Sequence, residues 1–61
     1  MNKPLNQSEI GRRIAAMRKQ RGLSQEVLAS QIQVSRSSLT QMELGNRSVD
    51  LQELQALAQA L

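Results

Sequence analysis

The sequence contains no cysteine and no histidine. Their absence excludes disulfide bonds, thiolate and imidazole metal ligands, thiol nucleophiles and the side chain that most often acts as a general base. Phenylalanine, tyrosine and tryptophan are absent too, whereas most modules that read single-stranded DNA or RNA stack bases on such rings. The composition therefore predicts no metal and no cofactor, and it leaves duplex DNA open as a partner.

The length and the charge distribution restrict the function further. With 61 residues the chain forms one small domain, whose modest core leaves no room for a deep catalytic cleft. We therefore expect that the protein is not an enzyme.

Residues 1–30 carry six of the eight lysines and arginines but only two of the five acidic residues. This asymmetry suits a polyanion bound on one face, although a solvated basic helix surface has the same pattern.

Long apolar runs are also missing from the sequence. The first ten residues are polar and include Pro4, which is unlike a signal peptide, and no segment reaches the length of a transmembrane helix. We expect a cytoplasmic protein without a membrane anchor.

The spacing of the apolar residues predicts an all-α fold, a compact domain of four helices. Residues 1–7 lack periodicity, so we predict a flexible arm there, followed by a single domain over residues 8–61. Gly22 and Gly45 suit the ends of the first helix, residues 9–21, and of the third, residues 36–44. Residues of the types that cap helix N-termini precede the four periodic segments: Ser8, Ser24, Ser35 and Asp50.

Each predicted helix has an apolar side and a polar side. The residues expected to face the core are Ile10, Ile14 and Met17, then Val27, Leu28, Ala29 and Ile32, then Leu39 and Met42, and finally Leu51, Leu54, Leu57, Ala58 and Leu61. The third helix is left with an outward polar face that holds Arg36, Ser37, Thr40 and Gln41. Because a short turn, residues 32–35, joins the second helix to the third, the pattern predicts a helix-turn-helix unit.

Two segments carry a resemblance to a known family. IGRRIAAMRKQRGLSQEVLA, residues 10–29, and VSRSSLTQMELGNRSVDLQELQALAQAL, residues 34–61, resemble the lambdoid phage repressor and Cro proteins and their bacterial relatives, the Xre-type helix-turn-helix family. The resemblance implies sequence-specific binding of double-stranded DNA and a role in transcription regulation, with repression as the expected outcome. It also implies a homodimer on a palindromic operator, with half-sites about one helical turn of DNA apart.

The resemblance assigns base reading to the first part of the third helix. Arg36 and Ser37 would meet base edges, with Thr40 and Gln41 one turn further along the same face. Arg36 matches the two acceptors of guanine, and Gln41 can pair in two places with adenine, although either side chain can lie on a phosphate instead. Ser37 and Thr40 are short, so they would make tolerant contacts.

Phosphate contacts are implied at three further positions. Gln25, at the start of the second helix, would bind a backbone phosphate with help from the helix dipole. Asn46 and Arg47, after the third helix, would form a second clamp that fixes register without reading sequence. The alternative is that all three are ordinary solvated surface residues.

The resemblance also implies an ion pair within the fold, and it shows one position at which this sequence differs from its relatives. By the resemblance, Arg18 and Glu43 form a largely buried ion pair that ties the first helix to the third. Gln33 stands where relatives usually have glycine, in a turn that needs a left-handed backbone, at a cost of roughly 1 kcal/mol.

Two other interpretations of the chain stay open at this point. An antitoxin of a toxin–antitoxin pair has a similar fold and binds a partner protein as well as DNA, often with an extra tail or strand that holds the toxin. In this chain only the arm, residues 1–7, and the apolar surface of the fourth helix could take that role. A plain helical bundle would explain the apolar stripes, but it gives no reason for the polar face of the third helix with Gln25 on one side and Asn46 and Arg47 on the other.

Overall fold

The computed structural model describes residues 6–61. Four helices account for most of this part of the chain: α1 (Gln7–Gln20), α2 (Gln25–Gln31), α3 (Arg36–Leu44) and α4 (Leu51–Ala60). The described residues contain no strand, which confirms the predicted all-α fold of four helices. Most of the predicted arm, residues 1–5, lies outside the described residues, and its flexibility stays a prediction.

The helix caps follow the sequence at three of four positions. Ser24, Ser35 and Asp50 each accept a hydrogen bond from a backbone N–H in the first turn of the helix that follows. The prediction of Ser8 as the first cap is wrong, because α1 begins two residues earlier. Asn6 caps it, with its Oδ1 atom accepting from the backbone N–H of Glu9 at 2.9 Å, and asparagine serves this role as well as serine does.

The core lies between all four helices. Its buried members are Ile14, Leu28, Ala29, Ile32, Leu39, Met42 and Leu57. The predicted inward positions of Met17, on α1, and Val27, on α2, are wrong, because each residue is exposed. Both lie at the edge of an apolar stripe, where helical spacing alone does not say which side is covered.

The largest error concerns the orientation of α4. Leu51, Leu54 and Ala58 were predicted to face inward but are exposed, while Leu57 is buried and Leu61 is half-buried. The inner side of α4 instead holds Glu53 and Leu57. On this side Glu53 binds Arg47 and the Asp50 backbone, and Leu57 lies in the core with Ala56 and Ala60 packed against it.

Two backbone features bring the helices together. A Cβ atom at Gly11 would overlap the carbonyl oxygens of Met42 and Glu43, so the backbones of α1 and α3 touch there. Gln33 has φ of 61°, which confirms the left-handed turn between α2 and α3. The backbone N–H of Val34 donates to the Ala29 carbonyl at 3.0 Å and closes that turn. None of the described helices is long and apolar enough to cross a membrane.

Candidate nucleic-acid interface

Helix α3 presents a polar outer surface next to the N-terminus of α2. Leu39 and Met42 are fully buried against the other helices, which fixes the rotation of α3 about its axis. Arg36, Ser37 and Gln41 are consequently exposed on the other side. These three side chains lie where the sequence placed them, at the start and along the outer face of α3.

An ion pair joins α1 to α3 beneath this surface. The Arg18 Nε atom lies 2.7 Å from Glu43 Oε2, and Nη2 donates to Oε1 at 3.1 Å. Only 12% of the Arg18 side chain and 7% of the Glu43 side chain are exposed, and the second Arg18 terminal nitrogen donates to the Leu23 carbonyl at 2.9 Å. The hydrogen bond with Glu43 raises the pKa of Arg18 above its ordinary value, although burial opposes this. The guanidinium therefore stays charged.

Gln25 connects this ion pair to the exposed face of α3. Its amide nitrogen donates to Glu43 Oε1 at 3.0 Å, and its carbonyl oxygen accepts from the Thr40 hydroxyl at 3.3 Å. The same oxygen lies 3.5 Å from Arg36 Nε, the limit of a hydrogen bond. The contact with Glu43 fixes the amide so that its oxygen faces Thr40 and Arg36, and one amide N–H of Gln25 is left for an outside acceptor.

Thr40 is held more firmly than the other predicted base-reading residues. It is half-buried, and besides the contact with Gln25 its hydroxyl lies 2.9 Å from the Arg36 carbonyl oxygen, one turn earlier in α3. The hydroxyl has a single proton, so it donates to one of these acceptors at a time. Its methyl group is the part of Thr40 best suited to an external contact.

Arg36 is held loosely by comparison. A terminal nitrogen lies 3.7 Å from Glu26 Oε1, and both side chains are mostly exposed, 63% and 75% respectively. Exposed pairs of this kind contribute little to stability. The guanidinium can therefore leave Glu26 and Gln25 for another acceptor at small cost.

Gln41 and Asn46 form a polar pair at the other end of α3. The Asn46 side-chain amide donates to Gln41 Oε1 at 3.1 Å, and its backbone N–H donates to the Gln41 carbonyl at 2.9 Å. The oxygen of Gln41 retains one lone pair and its amide nitrogen retains both protons. Gln41 is thus oriented by Asn46 and keeps the groups that a bidentate contact needs.

Arg47 lies in a loop, but its guanidinium makes several hydrogen bonds within the protein. Its two terminal nitrogens donate to the two carboxylate oxygens of Glu53, at 3.0 and 2.8 Å, and one of them also donates to the Ser48 carbonyl at 3.1 Å. Glu53 in turn forms a reciprocal capping box with Asp50. Arg47 is about one third exposed, so its remaining N–H groups are the part open to a phosphate.

The hydrogen bonds at this loop change both pKa values. The bond from Arg47 lowers the pKa of Glu53 below its ordinary value of 4.5, burial opposes this shift, and the bond from the Asp50 backbone adds to it. The bond with Glu53 raises the pKa of Arg47. Both groups are therefore charged at neutral pH.

Sequence reasoning missed two contacts around this surface. It did not pair Glu53 with Arg47, because their separation of six residues spans a loop and matches no helical spacing. It placed Gln7 in the arm, whereas the Gln7 side-chain amide donates to the Gly45 carbonyl at 3.3 Å and so joins the start of α1 to the end of α3. No group of residues suited to holding a metal ion occurs among residues 6–61.

Comparison with known proteins agrees with this geometry. A family model described as a helix-turn-helix domain matches residues 9–61, which is 53 of the 61 positions and includes α1 from its third residue onward and the whole of α2, α3 and α4. No curated protein matches the sequence. The matched range contains α2, the left-handed turn at Gln33 and α3, the three parts that define the unit. The chain belongs to the helix-turn-helix domain family.

Proposed function

We propose that this chain is a sequence-specific repressor of transcription that acts as a homodimer in the cytoplasm, with α3 in the major groove of its operator. Membership of the family indicates DNA binding and a role in transcription regulation. The observation that carries the finer proposal is the exposed polar face of α3, on which Arg36 is held only loosely and Gln41 is oriented by Asn46. The major groove, about 12 Å wide, admits an α-helix with such a face.

Arg36 is the residue to which we assign most of the sequence reading. It stands at the first position of α3, where a helix that enters the groove by its N-terminal end meets the bases. Its planar fork matches the O6 and N7 atoms of guanine. The contact with Gln25 Oε1, at the limit of a hydrogen bond, and the weak contact with Glu26 are both easily given up.

Ser37, Thr40 and Gln41 supply the other base contacts in this proposal. Gln41 pairs with adenine through the amide groups that Asn46 leaves open. Ser37 is exposed and short, so it donates to or accepts from whichever edge lies opposite. Thr40 offers its methyl group to a thymine methyl, because its hydroxyl is committed within the protein.

Phosphates are bound by Gln25, Asn46 and Arg47 on the two sides of α3. Gln25 uses the amide proton that does not bind Glu43. Arg47 binds through the N–H groups that Glu53 leaves free, and the ion pair fixes the position of the loop before DNA arrives. These contacts set the register of α3 on the duplex and carry no sequence information.

The test is selection from a pool of random duplexes followed by sequencing, and then titration of the selected duplex at several salt concentrations. Arg36→Ala should lose about 5- to 150-fold in affinity for the selected site and relax the preference at one base pair. Arg12→Ala is the matched control, because it removes the same charge from an exposed residue of α1. It should change affinity less and leave the preferred sequence intact.

The variant Gln25→Ala tests the contribution of a phosphate contact, as distinct from a base contact. It should weaken binding to all sequences, because it removes a phosphate contact. A change in the preferred sequence as well would show that Gln25 also positions Arg36 or Thr40. No enrichment from the pool at low salt, in a sample shown to be helical, would contradict the proposal. Equal losses in Arg36→Ala and Arg12→Ala would show that charge and not base contact accounts for the role of Arg36.

A further inference from the structure

Helix α3 exposes a large apolar side chain at its C-terminal end. Leu44, the last residue of α3, is 62% exposed, whereas Leu39 and Met42, the other large apolar residues of this fully described helix, are completely buried. The packing of α3 in the core therefore does not account for Leu44. The four base contacts and three phosphate contacts of the proposed function do not include it either.

Helical geometry places Leu44 on the outer face of α3, among the residues assigned to DNA. At about 100° per residue, Leu44 lies about 20° around the helix axis from Ser37. Thr40 lies about 40° away on one side, and Gln41 about 60° away on the other. Because side chains in a helix lean toward its N-terminus, Leu44 covers the surface beside Thr40 and Gln41. It does not extend past the end of the helix.

The chemistry of Leu44 restricts what it can meet in the major groove. Its side chain has no charge, donor or acceptor, so it cannot bind a phosphate, and against a polar base edge it would remove water without replacing the hydrogen bond. The C5-methyl group of thymine is the apolar group that a base pair presents in this groove. Contact between the leucine and this methyl group removes apolar surface of both from water. Leu44 is therefore suited to thymine.

The polar neighbours of Leu44 are held by contacts within the protein. The Asn46 side-chain amide donates to Gln41 Oε1 at 3.1 Å, and the Thr40 hydroxyl lies 2.9 Å from the Arg36 carbonyl oxygen. Thr40 stands one turn before Leu44, which is about 6 Å along the helix axis and at most about two base-pair steps of 3.4 Å on DNA. The two side chains can therefore meet neighbouring bases.

We propose that Leu44 is a further specificity-determining residue of α3, which packs against the C5-methyl group of a thymine within about two base pairs of the Thr40 contact. The proposal rests on the proposed function, because it requires α3 to lie in the major groove. It deepens that function by naming the base read at one further position. An apolar contact adds discrimination between bases without adding to the salt-dependent part of the affinity.

The first experiment changes the DNA and leaves the protein intact. In the duplex selected by the wild-type chain, each thymine is replaced in turn by deoxyuridine, which lacks only the C5-methyl group, and affinity is measured by fluorescence anisotropy. Loss of the methyl group that Leu44 meets should weaken binding about fourfold, the factor expected for one buried methyl group. Unchanged affinity at every thymine would overturn the proposal.

Leu44→Ala then identifies the thymine that this side chain meets. The variant should bind the selected duplex about fivefold more weakly or worse, and it should be insensitive to deoxyuridine at that one position, because the two changes remove the same contact. The slope of log affinity against log salt concentration should equal that of the wild type. Since most of the Leu44 side chain is exposed, the urea midpoint should stay the same. Sensitivity to deoxyuridine that Leu44→Ala leaves unchanged at all positions would contradict the proposal.

Leu54→Ala is the matched control for this variant. Leu54 is 51% exposed and lines a groove between α4 and α1 with Met17, so the same side chain is shortened away from the outer face of α3. This variant should keep the wild-type affinity and the wild-type response to deoxyuridine. Equal losses of affinity in Leu44→Ala and Leu54→Ala would show that the loss does not come from a contact with thymine, and the proposal would fail.

These outcomes separate the Leu44 proposal from the proposed function. A duplex that is selected by the wild type and bound weakly by Arg36→Ala, but whose affinity depends on no thymine methyl group, would end the Leu44 proposal and leave reading by α3 intact. No enrichment of any duplex would end both.

Discussion

The pairs Arg18–Glu43 and Arg47–Glu53 use the same bidentate chemistry in two different settings. Arg18 and Glu43 are 25 residues apart in the sequence, and little of either side chain is exposed. Arg47 and Glu53 are six residues apart, and Arg47 is about one third exposed. The first pair joins two packed helices that are distant in the sequence, whereas the second shapes a loop whose ends are already close. Similar distances therefore do not imply similar contributions to stability.

The contact between Arg36 and Glu26 is a third ion pair, and it is more exposed than the other two. It is longer, at 3.7 Å, and both side chains are mostly in solvent. From the buried pair to the exposed one, the expected role moves from holding the fold, through fixing a loop, to holding a side chain that must later bind DNA. Replacing the acid by its amide in each pair tests this order.

Glu43→Gln should have the largest effect. It leaves the Arg18 guanidinium buried without its counter-charge, and breaking such a pair costs about 3 kcal/mol or more of the free energy of unfolding. The lower end of the usual range applies because Arg18 keeps its bond to the Leu23 carbonyl. Urea denaturation followed by circular dichroism measures the change, and an unaltered midpoint would mean that the pair contributes nothing to stability.

Glu53→Gln should cost less than half as much, because Arg47 can turn to solvent when its partner is neutral. The pH dependence distinguishes it further. Since the folded pKa of Glu53 is lowered from 4.5, its contribution is complete above that pH and is lost as the pH falls through the lower folded value. Wild-type stability should therefore drop more steeply below pH 4.5 than that of Glu53→Gln, and parallel acid curves would contradict this.

Gln33→Gly should act in the opposite direction, stabilising the domain by roughly 1 kcal/mol, because glycine adopts a positive φ without strain. The backbone at Gln33 has φ of 61°, and its side chain is exposed. The variant sharpens the comparison by providing a more stable background in which Glu43→Gln can be measured. A lower midpoint for Gln33→Gly would show that the glutamine side chain stabilises the turn.

Glu26→Gln should have the smallest effect on stability, within about 0.5 kcal/mol. Its effect should appear in DNA affinity, because it releases Arg36 and removes a negative charge beside α3. We expect somewhat tighter binding to all duplexes, measured by fluorescence anisotropy at two salt concentrations. Weaker binding would indicate that Glu26 positions Arg36 for its contact.

Local signals in the sequence were sufficient to predict the bounds of α3 and three of the four N-cap residues. The bounds of α3 agree with the prediction because Ser35 and Gly45 mark both ends with their own chemistry. The position of the first cap was missed because Asn6 and Ser8 are both good caps two residues apart. The sequence alone does not decide between them.

The orientation of α4 and the second ion pair were not predictable in the same way. Leu51, Leu54, Ala58 and Leu61 make the better apolar stripe by spacing, and the rule that such a stripe faces the core assumes that a helix has one apolar side. The buried side is instead the one with Glu53, which binds Arg47 and Asp50, and Leu57. The family resemblance supplied Arg18 with Glu43, but it gave no partner for Arg47.

The central claim is that α3 reads duplex DNA through its exposed face, and amide NMR spectra recorded during titration with the selected half-site test it most directly. We predict that the largest shifts fall on residues 36–41, Gln25 and Asn46, with small shifts along α4, and that a scrambled duplex produces weaker shifts at raised salt. Shifts concentrated on α4, or identical shifts with both duplexes, would contradict the account.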